Sequence, residues 1–371
     1  MAEPATTSAL TTEPDEAERI FMRGNEALAE AAIRAGCRFY AGYPITPSTE
    51  ILEYMAKRMP QVDGVCMFPG TEIEGITMAQ GAAGTGTRAM IASTSTAYSL
   101  MQETLAESAN GGWPLVVVNM CRGSLQGDYY QTAKGGGHGD YQIVVLAPHT
   151  NQEMVDLTQR AFDLAERYRH PVIIFGDSIL AHTSETVEFR PQPFEELPEK
   201  SWAVDGTPDR PRRAITYLGS SGLSTDIRGA ATSSLLRFEQ MSEQALSYEE
   251  GFLDDAEAVV VAFGTAARYA KDAIGELRSA GIPIGFFRPV TINPFPTEQI
   301  AEMSAGRKVV ISFELNAGQM IHDVRSAIFG AAPVALMAES AHRGTYGGVP
   351  SVGELVESFR EVMREYGVSN V

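Results

Sequence analysis

Beginning at Asn25, stretches with apolar residues at helical spacing alternate with short, nearly continuous apolar runs. Leu28, Ala31, Ala32 and Ala35 fall on one face of a helix that Asn25 is placed to cap and Gly36 to end. Strands are predicted over 38–41, 64–68, 88–92, 115–120, 142–146 and 171–175. The intervening helices include one with Ile51, Tyr54, Met55 and Met59 on a single face, stopped before Pro60, and others over 72–81, 98–108 and 151–167. Runs such as Pro114-Leu115-Val116-Val117-Val118 show no polar alternation, which suits a parallel sheet covered on both faces. Residues 19–190 therefore read as a doubly wound α/β domain.

The alternation stops over 191–250. Pro191, Pro193, Pro198, Pro208 and Pro211 mark a connector, with a flexible stretch at 219–222 and a helix predicted over 235–249. A second, smaller α/β unit follows over 251–371. Its strands are predicted over 258–263, 284–287, 308–313 and 334–337, and its helices over 266–280, beyond Pro296, and over 320–329. No internal repeat is present.

Composition narrows the setting. A length of 371 residues suits two domains, and 44% hydrophobic with 20% charged residues is the profile of a soluble protein with sizeable cores. No apolar run is long enough to cross a bilayer, and the amino terminus lacks a basic start followed by an apolar stretch, so no secretory signal is predicted. Residues 1–18, rich in Ala, Thr, Glu and Pro, read as a disordered acidic extension. A net charge of −18 argues against nucleic acid, whose phosphates require Lys and Arg. The same charge repels an acidic electron carrier, which should dock on another subunit. Cys37, Cys66 and Cys121 are widely spaced and lack a C-x-x-C pair, which argues against a disulfide framework or an iron–sulfur cluster within this chain. They read as small core residues, and the compartment as cytoplasmic.

Candidate chemistry gathers at predicted strand ends. In Phe39-Tyr40-Ala41-Gly42-Tyr43-Pro44-Ile45-Thr46-Pro47-Ser48, a strand runs into a loop stiffened by two prolines, which places Thr46 where open α/β sheets bind ligands. Glu72 opens a helix after the turn Pro69-Gly70-Thr71. There it is either a first-turn acid favoured by the helix dipole or a functional carboxylate, with Glu74 as competitor. Arg122 follows strand 115–120 and can grip a carboxylate in bidentate fashion, or serve as a surface ion-pair partner. Ser95 and Thr96 precede a helix as hydroxyl N-caps or ligand contacts. In Lys134-Gly135-Gly136-Gly137-His138-Gly139-Asp140-Tyr141 the glycines permit close approach, and His138 reads as a loop-fixing residue at a subunit contact rather than a proton carrier. Gly264-Thr265, at a strand–helix junction, fits a phosphate site or a structural turn equally.

Gly24-Asn25-Glu26-Ala27 leading into Tyr43-Pro44-Ile45-Thr46-Pro47-Ser48 resembles the α-type subunit of the 2-oxoacid:ferredoxin oxidoreductases. The resemblance extends over roughly 19–190 and 250–370. It makes 19–190 a thiamine-diphosphate pyrimidine-binding domain, 191–250 a connector, and 251–371 a domain like the carboxyl-terminal domain of transketolase. It implies that Glu72 hydrogen-bonds the aminopyrimidine ring of thiamine diphosphate, with Tyr43, Pro44, Ser95 and Thr96 also at the cofactor. It further implies that Thr46 and Arg122 hold the carbonyl and carboxylate of a 2-oxo acid. The cofactor then acts as electron sink for loss of CO2, and coenzyme A accepts the acyl group.

Gly127-Asp128, Gly139-Asp140 and Gly176-Asp177 all lack the third glycine of the thiamine-enzyme metal motif, and Asn151 is the nearest approach to its asparagine. By resemblance, no metal is bound here. A β subunit supplies Mg2+ and pyrophosphate binding, γ/δ-type subunits carry iron–sulfur clusters that reduce ferredoxin, and the assembly is a dimer of heteromers. Lys134–Tyr141, 287–296 and 314–320 look most like branched-chain 2-oxoacid enzymes, whereas 39–51 resembles 2-oxoglutarate enzymes equally well. Two departures stand out: Thr96-Ala97 replaces a usual Pro-Gly pair, and the loop 123–130 is short, with Tyr129 and Tyr130 available to fill the space. They leave open another acid (2-oxoglutarate, pyruvate, oxalate or an aryl glyoxylate) or a non-catalytic paralogue.

Overall fold

The computed structural model describes residues 18–190, 197–206, 227–338 and 349–371. The predicted disordered extension up to residue 17, Pro191, Pro193, Pro208, Pro211 and the stretch 219–222 lie outside the described residues. In chain order the strands are β1 (Glu18–Arg23), β2 (Phe39–Ala41), β3 (Val65–Met67), β4 (Ala89–Ser93), β5 (Leu115–Cys121), β6 (Val144–Leu146), β7 (Val172–Asp177), β8 (Ser184–Phe189), β9 (Tyr248–Gly251), β10 (Ala258–Val261), β11 (Ile284–Pro289), β12 (Thr291–Asn293), β13 (Val309–Glu314) and β14 (Val334–Ala338).

A seven-stranded sheet has the order β12-β6-β7-β5-β4-β2-β3, and a five-stranded sheet the order β14-β13-β10-β11-β9. Every pairing within the first is parallel except that of β12, and every pairing within the second except that of β9. β1 and β8 form a separate antiparallel ribbon. Four strands depart from the sequence reading, which does not predict β1, β8, β9 or β12. β9 begins inside the stretch read as the end of the connector's helix (235–249) and runs past it, and the helix instead spans Ile227–Ala245. β12 comes from the second unit yet closes the edge of the first sheet.

Alternating side chains along each strand face opposite ways, and the cores follow that rule. Val116 and Val118 pack with Leu28, Ala32, Met154 and Phe162 of the helices Gly24–Arg34 and Asn151–Tyr168. Val117, Ile91 and Ile173 face the other way and join Phe263, Phe287, Met320 and Val324 of the second unit in one continuous core. The far face of the second sheet, with Val260, Ile311 and Phe313, is covered by Ile274 and Phe359 of the helices Gly264–Ser279 and Val352–Glu365.

Polar contacts reinforce this junction. Arg288, 3% exposed, donates two bonds to Glu153 at 2.9 and 2.6 Å and one to Glu249 at 2.8 Å. The Gln126 side chain donates to the Phe263 carbonyl at 2.7 Å and accepts from the Leu315 N–H at 3.0 Å. Such buried groups are costly unless paired, and here they are paired across the two units.

Candidate active site at the carboxyl ends of four strands

β5, β4, β2 and β3 are neighbours and run parallel, so the loops that follow them emerge on one edge of the sheet. Those loops carry Arg122, Ser95 and Thr96, Tyr43 to Thr46, and Glu72 respectively. The topology thus brings Tyr43, Pro44, Thr46, Glu72, Ser95, Thr96 and Arg122 to one edge, as expected for an open α/β sheet.

The loop after β2 leaves Tyr43, Pro44 and Thr46 exposed while Pro47 and Ser48 are buried. Its fixture is Asn25, fully buried, whose side-chain amide donates to the Pro47 carbonyl at 2.6 Å and to a Glu50 carboxylate oxygen at 3.0 Å. Asn25 is therefore not the predicted helix cap. The helix begins one residue earlier, at Gly24, with the Arg23 N–H held by the Glu26 carboxylate at 3.2 Å. Gly24 is constrained by its neighbour, since a Cβ there would lie 2.1 Å from the Leu180 carbonyl oxygen.

Arg122 is exposed and makes no ion pair with any described residue. Its guanidinium reaches the Thr46 carbonyl and the Thr96 hydroxyl, each at 3.5 Å, the outer limit for a hydrogen bond. The fork thus stands between two of the predicted residues, weakly held and open to an anion.

Glu72 and Glu74 separate cleanly. Glu74 is exposed and serves the helix: its carboxylate accepts the Gly70 N–H at 2.7 Å, and its own N–H donates to Thr71 Oγ1 at 3.3 Å. Such reciprocal capping leaves that carboxylate occupied. Glu72 is 7% exposed and makes no hydrogen bond or ion pair with a described residue. A buried carboxylate without a partner is costly, and one at a strand's carboxyl end suits a ligand that offers a hydrogen-bond donor.

Ser95 departs from the simple capping picture. Its φ is +38°, in the left-handed region that side chains other than glycine's seldom occupy. Its N–H donates to Asn119 Oδ1 at 3.1 Å; its hydroxyl accepts the Arg122 N–H at 2.9 Å and donates to Asp128 at 2.6 Å. That hydroxyl is committed within the chain, whereas Thr96 is exposed.

The remaining candidates lie elsewhere. Tyr129 is fully buried and donates to Asp323 at 2.6 Å, so it fills the junction between the units; Tyr130 is partly exposed against His322. Tyr141 accepts the Gly136 and Gly137 N–H groups at 3.1 and 2.9 Å, and His138 stands 3.1 Å from Glu107. This clasps the glycine run to the helix Gln102–Gly111. At Gly264-Thr265, φ of Gly264 is +51°, Thr265 is buried with its hydroxyl on Asp177, and Gln126 lies above. A structural turn is what this arrangement supports. Cys37, Cys66 and Cys121 are free thiols, and burial pushes Cys37 up to about 12 and Cys66 to about 11. Among the described residues no cluster of three or more His, Cys, Asp or Glu is placed to hold a metal ion, and no helix is long and apolar enough to cross a membrane.

A doubly wound domain with an unpartnered glutamate at its ligand edge, joined to a second α/β unit, has the architecture of a ligand-binding α/β protein. Residues 30–221 match the family described as "Pyruvate flavodoxin/ferredoxin oxidoreductase, thiamine diP-bdg", and 256–346 match "Pyruvate:ferredoxin oxidoreductase core domain II". The ketoisovalerate oxidoreductase subunit VorB of Methanothermobacter thermautotrophicus is 39% identical over 315 residues, covering 82% of this chain and 89% of that protein. The 2-oxoglutarate synthase subunit KorA of Methanocaldococcus jannaschii is 37% identical over 334 residues, covering 82% and 90%. The chain belongs to the 2-oxoacid:ferredoxin oxidoreductase family, as an α-type subunit. In fold it is similar to the 2-oxoglutarate:ferredoxin oxidoreductase from Magnetococcus marinus (TM-score 0.79, 24% identity, 92% of this chain and 65% of that one). It is also similar to a split gene transketolase (TM-score 0.56, 13% identity, 92% and 98%).

Proposed function

We propose that this chain holds the pyrimidine side of thiamine diphosphate through Glu72 and grips a 2-oxo acid through Thr46 and Arg122. The reaction is oxidative decarboxylation, in which the acid loses CO2 and two electrons and its acyl group passes to coenzyme A. The observation that carries this reading is the buried, unpartnered Glu72 carboxylate on the same sheet edge as the open Arg122 fork. When bound, thiamine diphosphate supplies the carbanion and the electron sink for decarboxylation. Glu72 would share a proton with the ring nitrogen, Tyr43, Pro44 and Thr96 would border the cofactor, and Thr46 and Arg122 would orient the acid's carbonyl and carboxylate.

The environment of Glu72 also supports a partner. β3 is the open edge of the sheet, and Val65, Met67, Phe68, Ile73, Met78 and Leu100 are exposed on and near the elements that flank the site. A β-type subunit on this face would bury them and bring Mg2+ and the pyrophosphate site. Iron–sulfur clusters belong on γ/δ-type subunits, since Cys37 and Cys121 are buried here. The acidity of this chain directs ferredoxin to those subunits too. The assembly is then a dimer of heteromers.

Arg122 is the only Lys or Arg within 42–48, 68–72, 94–101 and 122–131, so these loops have one cation for one carboxylate. This supports a monocarboxylic branched-chain 2-oxo acid, as the name of the VorB relative suggests. The similarity to KorA favours 2-oxoglutarate as a second reading, in which a partner supplies the second cation. The test is to co-purify the chain with its partner subunits and assay 2-oxo acids with thiamine diphosphate, coenzyme A and a viologen dye. Dye reduction should be lost in Glu72→Ala, and KM for the acid should rise about tenfold or more in Arg122→Lys, since a point charge replaces a fork. No reduction with any acid, in a complex containing cofactor and clusters, would refute the reading.

A further inference from the structure

The backbone from which Arg122 projects is fixed by a chain of hydrogen bonds that ends on a carboxylate. Arg122 N–H donates to Ser95 Oγ at 2.9 Å, and Ser95 Oγ–H donates to Asp128 Oδ2 at 2.6 Å. Asn119, fully buried, completes the frame: its Oδ1 accepts the Ser95 N–H at 3.1 Å, and its amide donates to Thr132 Oγ1 at 3.0 Å and to Asp128 Oδ2 at 3.4 Å. We propose that Asp128 is a positioning residue for substrate, acting through Ser95 on Arg122; this inference rests on the assignment of Arg122 to the acid's carboxylate.

A hydroxyl has one proton and can satisfy an N–H only if that proton points elsewhere. Asp128 takes it, which turns a lone pair of Ser95 toward Arg122 N–H. The same bond helps hold Ser95 at φ +38°, a conformation that the surroundings must impose. Ser95 precedes Thr96, whose hydroxyl meets the Arg122 guanidinium. One carboxylate therefore sets both the origin of the Arg122 side chain and the hydroxyl beside its fork. Nothing in the sequence marks this role: Asp128 lies six residues beyond Arg122 and is 33 residues from Ser95.

The experiment uses the assembled complex with its preferred acid and compares Asp128→Ala, Asp128→Asn, Arg122→Ala and the double variant Asp128→Ala/Arg122→Ala. Loss of one charge-assisted bond should raise KM for the acid about tenfold in Asp128→Ala, with kcat changed less than about twofold. Asp128→Asn retains an acceptor for Ser95 and should recover most of the KM. In the double variant, removing Asp128 should add nothing to the effect of Arg122→Ala. An unchanged KM in Asp128→Ala beside a raised KM in Arg122→Ala would overturn this inference alone. Additive effects, or a fall in kcat and in melting temperature at constant KM, would overturn it as well by reducing Asp128 to a folding role. An unchanged KM in Arg122→Ala would overturn the parent assignment and this inference with it.

Discussion

Asn25 offers a sharp test of how the Thr46 turn is held. The substitution Asn25→Ala removes two bonds, the one to the buried Pro47 carbonyl and the one to the Glu50 carboxylate. A neutral bond contributes about 1 kcal/mol and one to a charged group about 2 kcal/mol, so the chain should lose about 3 kcal/mol. Asn25→Asp is nearly the same size but swaps the donor for an acceptor. It then faces the Pro47 carbonyl and Glu50 oxygens across the same short distances. Burying that mismatch should cost more than the alanine, about 4 kcal/mol or above. Denaturant unfolding of the purified chain reads the order: wild type, then Ala, then Asp. The KM for the acid in the reconstituted complex should rise in the same order, because the turn carries Thr46. An Asp variant as stable as the Ala variant would show that the amide does not donate at this point.

Two further outcomes follow from the structure. Burial pushes the Glu153 carboxyl up, but hydrogen bonds from His149 and Arg288 outweigh it and hold it at about 2 against an ordinary 4.5. A depressed carboxyl stabilises the fold above its unfolded value, and this contribution, about 3 kcal/mol, is lost as pH falls from about 4.5 through about 2. Glu153→Gln should lower the melting temperature at neutral pH and shrink the difference from wild type in acid. Gly24→Ala places a methyl 2.1 Å from the Leu180 carbonyl oxygen and should cost about 3 kcal/mol, read as a lowered unfolding midpoint.

Of the strands that carry the site, β4 and β5 were legible because they are buried at every position, whereas β3 is a short, exposed edge strand. The positions of Thr46, Glu72 and Arg122 follow from the rule that ligands sit at strand carboxyl ends, and the sheet order puts them on one edge. The roles of Asn25 and Asp128 were not legible, since each depends on a partner more than twenty residues away. Asn25 in fact looks like a cap, a local device, because capping is the commonest reason for Asn before an apolar face. β1, β8 and β9 are short and mostly polar, with few buried apolar residues (Met22, Val187 and Phe189), too little apolar pattern to distinguish from loop. Glu72 was singled out over Glu74 by resemblance alone, and the hydrogen bonding adds a physical reason, since both stand in the first turn but only the Glu74 carboxylate is occupied within the chain.

β12 has a consequence for the chain as a folding unit. Three residues from beyond position 290 close the edge of a sheet that begins before position 42. A fragment ending near 250 would leave β6 with an uncovered row of N–H and C=O groups and strip Phe263, Phe287 and Met320 from the core beneath β5. Such an edge invites pairing with other chains, so the fragment should aggregate rather than fold alone. Truncation, gene splitting and domain exchange near residue 250 therefore cut through a single cooperative body, although the sequence there reads as a linker.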